Sequence, residues 1–251
     1  MEILAFVKRV PATTAAVAIK EQKIDLNGCE FEINPYDLFA IEEGIKQKEA
    51  SEGGNLTAIS FGNNTVQKDL RTCLAMGADE AIQLHHEEAG NADVSATIEV
   101  LYENIKEKKF DLLLFGKQSV DSDQHGVGPG LATKLNIPCI TEVTSLNIEG
   151  NKVTATRNIE GATETIKANL PCAITCQKGL NEPRLASLKG IMAAKKKTLQ
   201  TIDIEMPAPK ETIIMTELPP DRPEGRVLNN VTELVTALRD ESKIISYSID
   251  K

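Results

Sequence analysis

Asp111-Leu-Leu-Leu-Phe-Gly-Lys-Gln-Ser-Val-Asp-Ser-Asp-Gln-His-Gly-Val-Gly-Pro-Gly-Leu-Ala132 passes from an apolar run, through a polar loop, into a glycine-led segment. Residues 111–115, apolar throughout after Asp111, have the length and character of a strand covered on both faces, as in parallel sheets. Residues 126–135 read as the helix that follows. Ligands of open α/β sheets sit outside the carboxyl ends of the strands, so the loop between these two elements is the first place to look for chemistry.

Gly126, Gly128 and Gly130 let the main chain approach a ligand closely, and the unpaired first N–H groups of a helix suit a phosphate. Lys117 adds charge there, and Gln118 and Ser119 can hydrogen-bond a ribose. Asp121 and Asp123 oppose a phosphate unless they face ribose hydroxyls or cap the helix. Neither the P-loop spacing nor the dinucleotide glycine fingerprint is present. The pattern favours an adenine nucleotide over the plain reading of a tight turn without a ligand.

The same grammar extends to either side. Residues 3–7 form an apolar strand before Lys8-Arg9-Val10-Pro11. Residues 23–26 and 30–33 flank Asn27-Gly28, a strong turn signal, so a hairpin is expected there. Asn34-Pro35-Tyr36-Asp37 opens a helix with Leu38, Ile41 and Ile45 on one face, since Pro suits a first turn whose donors go unpaired. Residues 56–61 read as a strand and 65–76 as a helix stopped by Gly77. A short strand at 81–84 and a helix at 93–106 follow. Such alternation builds right-handed crossover units and a mostly parallel sheet.

Past Ile137-Pro138 the pattern changes. Segments 143–148, 153–157 and 163–168 read as antiparallel strands, and 172–176 as a further core strand. Residues 178–184 are expected to be an exposed loop, and 188–197 a short helix with a basic end. From Thr198 the prolines gather, at Pro207, Pro209, Pro219, Pro220 and Pro223. An extended arm over 198–251 is expected, closed by a helix near 231–238. Ile213, Ile214, Met215 and Leu218 suit an arm laid on another surface. The expected fold is therefore α/β: a mostly parallel, Rossmann-like three-layer sandwich over 1–197, with added antiparallel strands and a C-terminal arm.

The 251 residues suffice for one such domain with an appendage. With 28 Lys and Arg against 37 Asp and Glu, the net charge of −9 argues against nucleic acid as a partner. No stretch reaches the roughly 20 apolar residues that cross a bilayer. The short opening run is followed, not preceded, by Lys8 and Arg9, the reverse of a secretory signal. A prokaryotic cytoplasm is expected, or a mitochondrial matrix in a eukaryote. Five scattered cysteines read as reduced thiols. Cys172 and Cys176 lack the neighbours that would complete a zinc site, so no metal is expected.

His125, Ser119 and Asp121 lie close in sequence, but no nucleophile elbow accompanies them. His85-His86 before Glu87-Glu88 reads as a solvated loop. Lys195-Lys196-Lys197 is an ordinary basic helix end. It follows Leu185 and Leu188, however, and apolar side chains on a loop beside charge make a docking knob.

Six ordered motifs carry a resemblance over nearly the whole chain. They are Val7-Lys-Arg-Val-Pro11, Ile33-Asn-Pro-Tyr-Asp37, Arg71-Thr-Cys-Leu-Ala-Met-Gly-Ala-Asp79, Gly116-Lys-Gln-Ser-Val-Asp121, residues 161–171, and Leu180-Asn-Glu-Pro-Arg184 running on to Gly190-Ile-Met-Ala-Ala-Lys-Lys-Lys197. Together they resemble the beta subunit of electron-transferring flavoprotein. The resemblance implies an electron carrier with no catalytic residues of its own, in a heterodimer whose alpha subunit holds most of the FAD. It implies electrons taken from flavin dehydrogenases, such as the acyl-CoA dehydrogenases of fatty acid oxidation, and passed to a quinone oxidoreductase.

The resemblance also implies a structural AMP in a pocket of Phe6, Asn34, Pro35, Tyr36, Asp37 and Phe61 with the loop Gly116, Lys117, Gln118, Ser119, Val120, Asp121, Ser122, Asp123, Gln124, His125, Gly126 and Val127. Thr13 should approach the flavin of the alpha subunit. Partner docking maps to Asn181, Glu182, Pro183, Arg184, Leu185, Leu188, Ile191 and Met192, with Leu188 as anchor. The arm should wrap the alpha subunit. Ala12 stands where family members often carry an acid, and Ala193 where some carry a methylated lysine.

Other readings stay open. One family branch holds a second FAD instead of AMP and bifurcates electrons from NADH; Phe6, Phe61 and the loop Ser122-Asp-Gln-His-Gly126 favour AMP. An ATP-hydrolysing or adenylating enzyme, or a nucleotide sensor without a redox role, would use the same kind of sheet.

Overall fold

In the computed structural model, which describes residues 1–51, 53–222 and 224–245, the opening apolar run is β1 (Glu2–Phe6), buried from Ile3 onward. The hairpin expected across Asn27-Gly28 does not form. Instead β2 (Arg9–Pro11) pairs with a later strand, and β3 (Ala18–Lys20) pairs antiparallel with β4 (Lys23–Asp25). β5 (Phe31–Ile33) is the partner of β2. Glu21 and Gln22, at φ 49° and 60°, close the β3–β4 loop. Two successive left-handed residues match the twist of a two-residue hairpin. Asn27-Gly28 still turns the chain, with Gly28 at φ 80°, but both flanking strands are committed elsewhere.

From there the expected alternation holds: α1 (Pro35–Ala50), β6 (Asn55–Gly62), α2 (Gln67–Met76), β7 (Glu80–His85), α3 (Val94–Ile105), β8 (Leu112–Gly116) and α4 (Val127–Leu135). β9 (Cys139–Glu149), β10 (Lys152–Ile159) and β11 (Ala162–Asn169) then form an antiparallel extension. β12 (Cys172–Cys176) returns to the core, parallel to both β8 and the start of β9. After α5 (Leu188–Ala194) the chain supplies β13 (Leu199–Asp203), parallel to β7. The nine-stranded sheet runs β11-β10-β9-β12-β8-β1-β6-β7-β13.

Successive residues of β8 serve opposite layers, which is why its sequence is unbroken in apolar character. Leu112 and Leu114 pack with Ile3, Ala5, Ile41 and Leu74 on the face covered by α1 and α2. Leu113 and Phe115 pack with Leu4, Phe6, Leu101 and Leu131 on the face covered by α3 and α4. Burial holds the thiols in their neutral form, pushing Cys139 up to about 11 and Cys172 to about 12.

The arm expected from Thr198 begins later, because β13 is the edge strand of the main sheet. It is short, and only Leu199 and Ile202 are apolar in it, so it resembled linker. One compact unit spans Met1–Met215 and a second begins at Thr216. Within the second, α6 (Val231–Thr236) is capped by Asn230, which accepts the Glu233 N–H at 2.9 Å. Glu233 in turn accepts the Asn229 N–H at 3.0 Å. Pro223 and residues 246–251 of the expected arm lie outside the described residues. No helix among the described residues is long and apolar enough to cross a membrane.

Candidate functional site

Strand order reverses at β1, with β6 on one side and β8 on the other. Such a reversal opens a crevice at the carboxyl ends of the strands. Here β1 runs out into Val7-Lys8 and β8 into Gly116-Lys117.

The first turn of α1 ties these two ends together. The Asp37 carboxylate accepts the Lys8 N–H at 2.8 Å and the Gly116 N–H at 3.1 Å. Asn34, 1% exposed, donates from Nδ2 to the Gln118 carbonyl at 2.8 Å. Its Oδ1 accepts the Val120 N–H at 3.1 Å. Asn34 thus satisfies the loop as a neighbouring strand would. Gly116 is required by close approach: a Cβ there would overlap Asp37 Oδ1 and lie 2.7 Å from the Tyr36 carbonyl carbon.

Within the loop, Asp123 adopts φ 50° and donates its N–H to the Ser119 carbonyl at 2.9 Å. The Ser119 and Ser122 hydroxyls lie 2.9 Å apart, and Gln118 donates to the Asp123 carboxylate. Lys8 Nζ reaches Asp121 at 2.7 Å. Burial works against the Asp121 charge, yet the Lys8 ammonium holds its carboxyl below the usual range. Lys117 lies over the Tyr36 ring, 5.1 Å from its centroid. Gln124 and His125 are exposed. Lys8, absent from the sequence-based set, therefore offsets the acid in the loop. Its position just past an apolar strand end was the available signal.

The glycines of α4 also answer to packing. A Cβ on Gly126 would meet Val94 at 2.9 Å, one on Gly128 would meet Thr175 at 2.9 Å, and one on Gly130 would overlap Ile98. Their bare faces let α4 lie close to α3 and the sheet. What they leave to a ligand is the first turn itself, because Gly126 places no side-chain acceptor on its N–H groups. Phe6 stacks on Phe115, with centroids 4.4 Å apart and rings 3° from parallel, and both are almost fully buried. Phe61 is half-buried against the same cluster. These rings are packed core at this end of the sheet.

Burial pushes the Asp37 carboxyl up to about 7, against the pull of the Lys8 and Gly116 N–H groups. The folded chain then binds this proton more tightly than the unfolded chain, where the value is about 3.9. Asp37's contribution to stability is complete below the unfolded value and is lost as pH rises through about 7. The stability lead of the wild type over Asp37→Asn should therefore shrink across that interval and level off above it. Urea midpoints at fixed ionic strength measure this; a lead that grows with pH would show that the two N–H donors outweigh burial.

The Thr13 N–H donates to Glu32 at 3.1 Å, and a surface concavity beside it is lined by Ala12, Thr14, Ala15, Ala16 and the Asn27–Glu30 turn. A second concavity lies at Met1, Asp111, Leu170 and Pro171; neither coincides with the β1–β8 crevice. The segment expected to be an exposed loop at 178–184 is exposed at Lys178, Gly179 and Glu182 but half-buried at Leu180, Asn181, Pro183 and Arg184. Beyond it Leu185 and Leu188 are 93% and 82% exposed, and Ile191 and Met192 are also exposed.

The mostly parallel sheet, its strand order and the helices that cover it place the chain among Rossmann-like α/β sandwich proteins. The family model described as electron transfer flavoprotein domain matches residues 14–206. The chain is 41% identical to electron transfer flavoprotein subunit beta of Bacillus subtilis, over 98% of this chain and all of the relative. It is 32% identical to the subunit of that name from Mus musculus, over 97% of this chain and 99% of the relative. It is 31% identical to the one named mitochondrial from Oryza sativa subsp. indica, over 98% of this chain and all of the relative. The chain belongs to the electron transfer flavoprotein beta subunit family.

Proposed function

We propose that this chain is the beta half of a heterodimeric electron carrier, not an enzyme, holding AMP in the β1–β8 crevice and helping to position a FAD borne mainly by the alpha subunit. The observation that carries the reading is the Asn34 and Asp37 bonding, which gathers both strand ends and the 118–120 main chain around one crevice. The donor set fits an adenylate. The Ser119 and Ser122 hydroxyls suit a ribose, the uncapped first turn of α4 suits a phosphate, and Lys8 offsets Asp121. Phe6 and Phe115 are stacked and buried at this end of the sheet, a bulk that favours the compact AMP over a second FAD.

FAD, when bound, supplies the redox chemistry. The residues of this chain orient and shield: Thr13 lies on the loop proposed to face the flavin, and the exposed Ile213, Ile214 and Met215 are proposed to lie on the alpha subunit. Leu185, Leu188, Ile191 and Met192 are proposed to dock flavin dehydrogenases such as acyl-CoA dehydrogenases, with a quinone oxidoreductase as acceptor. The setting proposed is a prokaryotic cytoplasm or a mitochondrial matrix. Nucleotides extracted from the purified heterodimer and identified by mass test the core of this. FAD and AMP in equal amounts are expected; a second FAD in place of AMP would assign the chain to the bifurcating branch.

A further inference from the structure

Arg184 lies across α1 at the root of the proposed docking segment. Its Nε donates to Glu42 Oε2 at 2.9 Å and its Nη2 to Glu42 Oε1 at 3.0 Å. Nη1 and Nη2 also donate to Glu49, at 2.7 and 3.1 Å. The Arg184 main-chain N–H donates to Glu42 Oε2 at 3.1 Å. The Glu42 side chain is only 6% exposed, so this pair is well shielded on the carboxylate side. Asn181 reinforces it, donating to the Phe39 carbonyl and to Glu43, each at 3.0 Å.

The far end of the segment is fixed to α2. A Cβ on Gly190 would overlap the Ala75 carbonyl oxygen, and Arg71 donates to the Ala194 and Lys197 carbonyls at 2.7 and 2.8 Å. Between these two anchorages stand Leu185 and Leu188, almost fully in solvent.

We propose that Arg184, forked between Glu42 and Glu49, is a positioning residue for electron delivery, holding Leu185 and Leu188 in their docking pose before a flavin dehydrogenase arrives. This rests on the docking reading of the segment. Ordering a loop on contact costs binding free energy for each side chain immobilised, and a loop ordered in advance avoids that cost. A planar guanidinium can satisfy two carboxylates at once, whereas an ammonium is a point charge that cannot fork in this way. The occupant fitting the knob is a dehydrogenase surface with an apolar recess and an acidic rim, because exposed Lys189, Lys195 and Lys196 flank the leucines.

The test is steady-state electron transfer from a flavin dehydrogenase to the heterodimer, with amide hydrogen exchange over 181–188. Arg184→Ala should raise KM for the flavoprotein about tenfold, with kcat moving far less, the scale of one or two side chains ordered only on contact. Exchange in the segment should quicken, and Arg184→Lys should recover only part of either effect. Leu188→Ala should raise KM with exchange as in the wild type. A normal KM in Arg184→Ala beside a raised KM in Leu188→Ala would overturn the positioning role and keep the docking site. So would a raised KM without faster exchange. Normal values in both variants would overturn the docking reading itself. Should Arg184→Ala fail to assemble, Glu49→Ala removes only the outer fork, at a side chain 55% exposed. It should then show the same changes in smaller measure, and wild-type values there would sink the proposal.

Discussion

Gly116→Ala is expected to destabilise the protein by about 3 kcal/mol and to abolish retention of the AMP proposed for the crevice, the overpacking of a tight site adding to a weakened buried hydrogen bond. The position allows no compromise. A methyl group would be driven into Asp37 Oδ1 and the main chain of Tyr36, both held by the first turn of α1. Relieving the overlap means pulling β8 from α1, which lengthens the Gly116 N–H bond to Asp37 and moves the root of the loop proposed to cradle the nucleotide. Urea unfolding of the heterodimer and its nucleotide content are the measurements. An unchanged midpoint with full AMP would show that the approach of Gly116 to Asp37 is looser than described.

Asn34→Ala should cost about 2–4 kcal/mol, since it strands a donor and an acceptor of the main chain at once. The Gln118 carbonyl and the Val120 N–H each lose a partner that is 1% exposed, and water reaches such a site poorly. The loop from Lys117 to Gly126 should then become sensitive to protease and lose the adenylate proposed for it. Asn34→Asp should fare worse than its shape implies. It keeps an acceptor for Val120 but loses the donor to Gln118 and sets a charge in the buried turn that also holds Asp37. A loop as protease-resistant as the wild type's in both variants would remove Asn34 from the site.

Parts of this site were legible residue by residue. Asn34-Pro35 announced a helix start, and the apolar run before Gly116 announced a strand whose end faces a crevice. The uses of Asn34 and Asp37 were not legible, because their partners at 8, 116, 118 and 120 come from other elements. Glu42 and Glu43 show the same limit. Nothing local predicts burial of two adjacent carboxylates in α1; Arg184 and Asn181, 142 and 138 positions away, provide the bonds that allow it. The β3–β4 hairpin was missed because Glu21-Gln22 lacks the glycine that usually marks left-handed turns.

Apolar periodicity and punctuation by Gly and Pro determined the strands of the parallel core, the helices between them and the change of grammar after Pro138. These features report local backbone preference and burial, which act over a few residues. Tertiary structure alone decided what each special residue does. Gly126 and Gly130 read as ligand-facing from sequence, and the packing that also excludes a side chain there, against Val94 and Ile98, appears only in the fold; the polar segment Leu199–Asp203 became an edge strand only because β7 offered it a partner. Hydrogen bonding and steric exclusion between distant segments depend on how the layers stack, and that information is distributed over the whole chain.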